Sequence, residues 1–314
     1  MKRERIERTD EASWLQQRTQ DVTSTEVAAL FGLSPYLSEF ELFHRKRGGE
    51  VVRIQENERM TWGKRLESAI AEGVASDNNW SISHANFYMR VPAMRIGSSF
   101  DYEVRTQSHD GLMEIKNVDG IQFQQKWIDD GVVLEAPEHI ELQIQHQMEV
   151  ADREYCILVA LVGGNRVRWV ERKRDREIGK TIRDRVAEFW DRVARNDAPS
   201  PDYTMDADFI VKQLRASANE GEVLEADAAL EQLIAQYQFV SREAAGMEEL
   251  KMKTRAELLE RIGTASKVIS SLGNISCGMT KPSQGTLVTE DMVGTYVGGR
   301  AGYRAFRFTP KKGD

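Results

Sequence analysis

The chain is poor in cysteine, in clustered histidine, in long apolar runs and in net positive charge. Its two cysteines, Cys156 and Cys277, are too few for a disulfide framework and fit a reducing cytosol. The five histidines (His44, His84, His109, His139 and His146) are scattered, and none pairs with a cysteine at ligand spacing, which argues against zinc. The longest apolar run, Cys156 to Val162, falls far short of the roughly 20 residues that a membrane-spanning helix needs. The opening, Met1 to Glu11, is charged and lacks the apolar core of a secretory signal, so a cytoplasmic protein with no membrane partner is expected. A formal net charge of -7 excludes a uniformly basic nucleic-acid coat but leaves room for a local basic channel.

What remains is a globular balance of 40% apolar and 30% charged residues over a length of 314. At about 150 residues per domain, that length allows one large domain or two modest ones. Trp14 to Arg18 ends a short helical run. Thr23-Ser24-Thr25-Glu26 is a capping box ahead of Val27 to Phe31, and Gly32 with Ser34-Pro35 stops that helix. Further helices are expected over Glu39 to Arg47 and from near Thr61, with Leu66, Ile70 and Val74 on one face. From Trp80 the period changes to that of strands, at Trp80 to Ser83 and Phe87 to Val91. Arg95 to Arg105 and Gly111 to Asn117 then read as a hairpin turning at Ser108 to Gly111. Pro137 opens a helix with Ile140, Ile144, Met148 and Ala151 as its stripe. Tyr155 to Val162 and Arg166 to Val170 read as strands, and a charged helix follows from about Arg176 to Arg195.

This order predicts an α/β (α+β) fold with a mixed central sheet flanked by helices over residues 1–204. Residues 205–314 form a helical extension. Its apolar three-four stripe runs from Leu230 through Leu250 and resumes at Leu258, Ile262, Ala265 and Ile269, with a possible kink at Gly246 and a cap at Gly273-Asn274. Thr286 to Phe308 is rich enough in glycine and β-formers to add a small strand pair.

The chemistry centres on Glu114-Ile115-Lys116. Positions i and i+2 of a strand face the same way, so Glu114 and Lys116 project together, and an antiparallel partner can bring Asp101 beside them. Two carboxylates and a lysine suit Mg²⁺, with Mn²⁺ as a plausible substitute, and the lysine then stands over a metal-bound water. Glu-x-Lys is a cheap pattern, however, and recurs at Glu171-Arg172-Lys173 and Glu249-Leu250-Lys251. Taken alone, Thr23 to Thr25 is simple capping, Gln143, Gln145 and Gln147 are a polar helix face, and Glu67 and Arg18 are ordinary surface charges.

Several motifs in order change that weighting. Trp14-x3-Arg18, Thr25-Glu26-Val27, Gly32-Leu33-Ser34-Pro35-Tyr36, Trp62-Gly63-Lys64-x-x-Glu67, Asp101, Glu114-Ile115-Lys116 and Leu142 to Met148 together resemble the YqaJ-type viral recombinase and phage lambda exonuclease family, within the PD-(D/E)xK nuclease superfamily. The likeness covers roughly residues 10–195. It departs in having Phe100-Asp101-Tyr102 where the family usually shows Pro-Asp-Gly, and Thr25 where serine is common.

The resemblance implies a Mg²⁺-dependent exonuclease that degrades linear duplex DNA from the 5′ end and leaves single strand for an annealing protein. Asp101, Glu114 and the Ile115 carbonyl would ligate the metal, with Glu67 contributing and Lys116 serving the water. Arg18, Thr25, Ser99 and Gln145 would grip the terminal 5′ phosphate. A ring-shaped homo-oligomer, commonly a trimer, of phage or prophage origin is implied in the same way. A structure-specific or internally cutting endonuclease, and a catalytically weak DNA-binding scaffold, are the alternatives. The stretch Arg166, Arg168, Arg172, Lys173, Arg174, Arg176, Lys180, Arg183 and Arg185 reads equally as a DNA track and as a solvated face, since acids are interleaved with it.

Overall fold

The computed structural model of the chain describes residues 2–49, 51, 57–216, 218–219 and 221–279. Its contacts divide it into two compact units, Met1–Ala216 and Ser217–Asp314.

In the first unit, β1 (Glu4–Glu7) and α1 (Glu11–Arg18) lead into β2 (Val22–Thr23) and a 3-10 turn at Val27–Phe31. Next come α2 (Glu39–Gly48), α3 (Glu58–Asn78), β3 (Ser81–His84), β4 (Phe87–Val91), β5 (Ile96–Ser99), β6 (Tyr102–Arg105) and β7 (Asp110–Val118). A crossover through α4 (Gly120–Lys126), β8 (Ile128–Asp129), β9 (Leu134–Glu135) and α5 (Glu138–Ala151) returns to β10 (Tyr155–Val162). β11 (Arg166–Lys173), α6 (Arg176–Arg195) and α7 (Tyr203–Phe209) complete the unit.

The central sheet has the order β11-β10-β7-β6-β3, with β10 and β7 parallel and the other pairs antiparallel. A second sheet runs β1-β4-β5-β2. The mixed α/β class expected from the sequence is therefore present. Along β7, alternate residues serve two cores. Met113 and Ile115 pack with Ile70, Ala71 and Val74 of α3, and Leu112 joins Ile144 and Met148 of α5 on the opposite face. That alternation is the period-two pattern of a strand covered on both sides.

One expectation fails usefully. Arg95 to Arg105 is not a single hairpin strand but two, β5 and β6, which belong to different sheets. The chain changes sheet at Phe100-Asp101, which places the Asp101 carboxyl at the break rather than within a ladder. The expected capped helix at Val27 is only a 3-10 turn with no side-chain cap. Half of the box is present: the Thr23 amide donates to Glu26 Oε2 at 2.9 Å. Gly97 is obligatory, because a Cβ there would lie 2.0 Å from the Tyr88 hydroxyl, which crosses over it to reach Asp21 at 3.1 Å.

Residues 203–216 belong to the first unit, where Asp206 is buried and bonded to Ser38 and where Phe209 packs on Phe40. In the second unit α8 (Ala228–Ile262) is one helix that passes through Gly246, and it buries none of its side chains. Gly263 ends it, so Ala265 and Ile269 leave the expected stripe. Ile269 lies in β12 (Lys267–Ser270), which pairs with β13 (Gly273–Ser276). The strand pair expected at Thr286 to Phe308 lies outside the described residues.

Candidate active site

A cleft of about 270 Å³ opens where β7 emerges past the start of β6. Glu67, Asp101, Glu114, Ile115 and Lys116 line one part of it, and Arg18, Thr25 and Ser99 line another. Eight of the nine site residues expected from the sequence thus meet in one place.

The ninth, Gln145, does not. Gln143 and Gln147 are four residues apart on α5 and share a helical face, whereas Gln145 lies about 200° around the helix from either. Its amide donates to the Lys173 carbonyl at 3.0 Å and its carbonyl accepts from the Asp175 amide at 2.8 Å, which ties α5 to the start of α6. Gln143 and Gln147 line the cleft instead. Their signal in the sequence is the i, i+4 spacing alongside the apolar stripe of Ile140, Ile144 and Met148.

Those two amides hold Glu114. Gln143 Nε2 donates to Glu114 Oε1 at 2.6 Å, Gln147 Nε2 donates to Oε2 at 2.7 Å, and Lys116 Nζ donates to Oε1 at 2.5 Å. The Glu114 side chain is 4% exposed and the Lys116 side chain 24%. Both residues project toward α5, as the strand period requires. Asp101 sits one residue before Tyr102, which pairs with Met113, so the two carboxylates are cross-strand neighbours. Asp101 Oδ2 accepts from the Ile115 amide at 2.8 Å, on the edge that β6 leaves open.

The charges are unbalanced. Three carboxylates, Glu67, Asp101 and Glu114, share the cleft with two cations, the Lys116 ammonium among them and the Arg18 guanidinium in the other part. Burial pushes the Asp101 carboxyl well above its usual range, and Glu114 and Glu67 push it the same way. Burial also raises Glu67; its neighbour His84 opposes that and Glu114 adds to it. Burial works against the charge on Lys116, but the Glu114 and Asp101 carboxylates outweigh it and hold the ammonium above its ordinary value. Lys116 is therefore a charged donor in this arrangement.

The donor set fits a divalent cation. All of its groups are hard oxygens, as Mg²⁺ and Mn²⁺ prefer, and the excess negative charge favours any cation that enters. Among the described residues no three acidic, histidine or cysteine side chains close into a ready-made cage.

Across the cleft, Arg18 Nη2 donates to Thr25 Oγ1 at 3.2 Å, and the Trp14 indole N–H donates to Ser99 Oγ at 2.8 Å. Lys46, although buried, donates to the Arg18 carbonyl at 2.7 Å and pairs with Glu26 at 2.8 Å, pinning the loop that carries Thr25.

The basic stretch on β11 and α6 is spent on internal pairing. Arg166 and Arg168 hold Asp129, Arg172 holds Glu141, and Arg174 and Arg183 hold the buried Glu149. Arg176 pairs with Glu154, Lys180 with Asp184 and Arg185 with Glu188, while Lys173 lies 5.9 Å from the Tyr155 ring.

Fold and cleft together define a mixed-sheet α/β domain with a carboxylate-and-lysine site at its strand ends. Residues 13–154 match the family model described as the YqaJ-like viral recombinase domain. That stretch contains every residue lining the cleft, so the likeness to that family covers the whole site. A relative, the uncharacterized protein YqaJ of Bacillus subtilis (strain 168), is 25% identical over 239 residues, spanning 75% of this chain and 73% of YqaJ. Among solved structures, an alkaline exonuclease (LHK-Exo) from Laribacter hongkongensis is 18% identical, with a TM-score of 0.47 over 60% of this chain and 94% of its own. A phage related exonuclease from Haemophilus somnus 129PT is 13% identical, with a TM-score of 0.40 over 56% and 96%. Among the described residues no helix is long and apolar enough to cross a membrane.

Proposed function

We propose that this chain is a divalent-metal-dependent deoxyribonuclease that degrades linear duplex DNA from its 5′ ends in the cytoplasm of a bacterial host. Its product would be single-stranded DNA available to an annealing protein. The observation that carries the reading is the meeting of Asp101, Glu114, Glu67 and Lys116 in one cleft with Arg18, Thr25 and Ser99 facing them. The match of residues 13–154 to the YqaJ-like viral recombinase domain model supports the same direction.

Asp101, Glu114 and the Ile115 carbonyl would hold Mg²⁺ or Mn²⁺, with Glu67 beside them. Bound there, the cation would neutralise phosphate charge and acidify a water. The remaining work belongs to the chain. Gln143 and Gln147 keep Glu114 in one orientation, so that its carboxylate is placed before substrate arrives. Lys116, as an ammonium, donates to an attacking water or a phosphoryl oxygen and stabilises the charge that develops there. Arg18 offers charge-assisted hydrogen bonds to a terminal phosphate, with Thr25 and Ser99 supplying hydroxyls. A homo-oligomeric ring, trimeric by family resemblance, is part of the same proposal.

The test compares a linear 5′-phosphorylated duplex with a closed circle, in Mg²⁺ and in EDTA, for wild type and Lys116→Ala. Metal-dependent loss of the linear substrate alone, abolished in the variant, is the expected result. Cutting of the circle would replace this reading with an internally cutting nuclease. Metal-independent binding without cleavage of either would leave a DNA-binding scaffold.

A further inference from the structure

Trp14 takes no part in the chemistry proposed above, yet two side chains that line the cleft, Ser99 and Arg18, meet at it. It is half-buried on α1 and belongs to neither apolar core. Its indole N–H donates to Ser99 Oγ at 2.8 Å, and the Arg18 guanidinium lies 4.7 Å from its ring centre. Arg8, to which no role has been assigned, lies 4.5 Å from the same ring.

A serine hydroxyl has one proton to give and accepts through its lone pairs. With an acceptor position filled by Trp14, and no other partner for its hydroxyl among the described residues, Ser99 keeps that proton for a ligand in the cleft. A guanidinium stacked on an aromatic ring is restrained in plane while its N–H edge stays available to an anion. Arg18 already uses that edge toward Thr25. The ring thereby sets the donor direction of a hydroxyl and restrains a cation beside it.

We propose that Trp14 is the positioning residue of an anion-binding corner formed by Ser99 and Arg18, aimed at the terminal phosphate of a DNA strand. The inference rests on the end-recognition reading above, and its test separates the two. Hairpin duplexes with a single open end, bearing either a 5′ phosphate or a 5′ hydroxyl, are titrated in EDTA, where no cleavage occurs. The proteins are wild type, Trp14→Phe, Ser99→Ala and the double variant, each checked for unaltered thermal unfolding.

Wild type is expected to prefer the phosphate end. Trp14→Phe keeps a ring for Arg18 but loses the N–H, and should cut that preference about five- to tenfold, the range of one neutral hydrogen bond. Ser99→Ala should cut it similarly, and the double variant no further than either single one. Additive losses would mean that the ring does not act through Ser99, and an intact preference in Trp14→Phe would overturn the inference while leaving end recognition standing. Equal binding of both ends by wild type would overturn end recognition itself, and the inference with it. Should Trp14→Phe fail to fold, Ser99→Ala alone decides, because an undiminished preference there leaves the indole nothing to orient.

Discussion

The cleft and the basic stretch on β11 and α6 are both dense in charge, and they differ in how that charge is balanced. In the cleft three carboxylates meet only two cations, Lys116 and Arg18, and burial and like-charged neighbours push the Asp101 carboxyl well above its usual range. Along β11 and α6 nearly every cation has a carboxylate of its own, down to the pair between Arg174 and Glu149 with side chains only 3% and 1% exposed. Unbalanced buried charge costs stability that a fold has no reason to keep unless a ligand relieves it. Balanced charge is accounted for by the fold alone. The contrast separates a candidate site from scaffolding that looks, by composition, more like a DNA contact.

The sharpest way to break the comparison is to remove the ammonium. Lys116→Ala should lower the cleavage rate by about 10²- to 10⁴-fold, the usual worth of a positioned proton-handling group. Retained DNA binding, measured in EDTA, would place the loss in the chemical step. A variant that cuts at the wild-type rate would remove Lys116 from the site.

Much of this was legible in advance, for physical reasons. The residues that end α2, open α5 and turn β10 into β11 act locally, so Gly48-Gly49, Pro137 and Gly163-Gly164 marked those boundaries directly. The shared direction of Glu114 and Lys116 follows from strand geometry alone. What stayed hidden depends on long-range partners. The change of sheet at Asp101 leaves no turn signal in Phe100-Asp101-Tyr102. Which glutamines face the cleft required knowing which side of α5 lies against β7. The fate of Arg166 to Arg185 turned on carboxylates as distant in sequence as Asp129 and Glu141.

α5 serves both regions, and His146 reports on its packing. The ring is wholly buried, with Nε2 3.2 Å from the Gly97 carbonyl and no hydrogen-bond partner for Nδ1 among the described residues, and burial lowers its pKa to about 4. An unfolded histidine takes up a proton near pH 6.5 that the native ring excludes. Stability is therefore full above that value and is lost as pH falls toward 4, by about 3 kcal/mol over the whole window. Urea unfolding at pH 7.5 and 4.5 should show this difference in wild type beyond that in His146→Gln. Equal acid sensitivity in the two proteins would mean that the ring is charged in the native state.

Asp101→Asn gives a smaller effect of opposite sign. A carboxyl whose native pKa is raised stabilises the fold only at low pH, and that contribution is lost as pH rises from the ordinary carboxylate range through the raised value. The neutral amide can still accept from the Ile115 amide and escapes the repulsion. In EDTA at pH 8 the variant should melt a few degrees higher than wild type, while metal-dependent cleavage disappears. A lower melting temperature would mean that the cleft carboxylates are not in excess.

The smallest expected effect carries the comparison furthest. Arg166 is exposed and pairs with Asp129 at 2.8 Å, but Asp129 is also held by Arg168 at 2.5 Å, so Arg166→Ala leaves that carboxylate satisfied. The stability change should stay below about 1 kcal/mol, as for other exposed pairs. DNA affinity should shift by less than about twofold, with an unchanged slope of log affinity against log salt. Arg18→Ala, in contrast, should reduce that slope by about 1, because it removes a cation proposed to contact phosphate directly. A drop of the same size in Arg166→Ala would show DNA competing with Asp129 for the guanidinium. Internal pairing would then be the resting state of a contact surface, and the balance of charge would no longer separate site from scaffold.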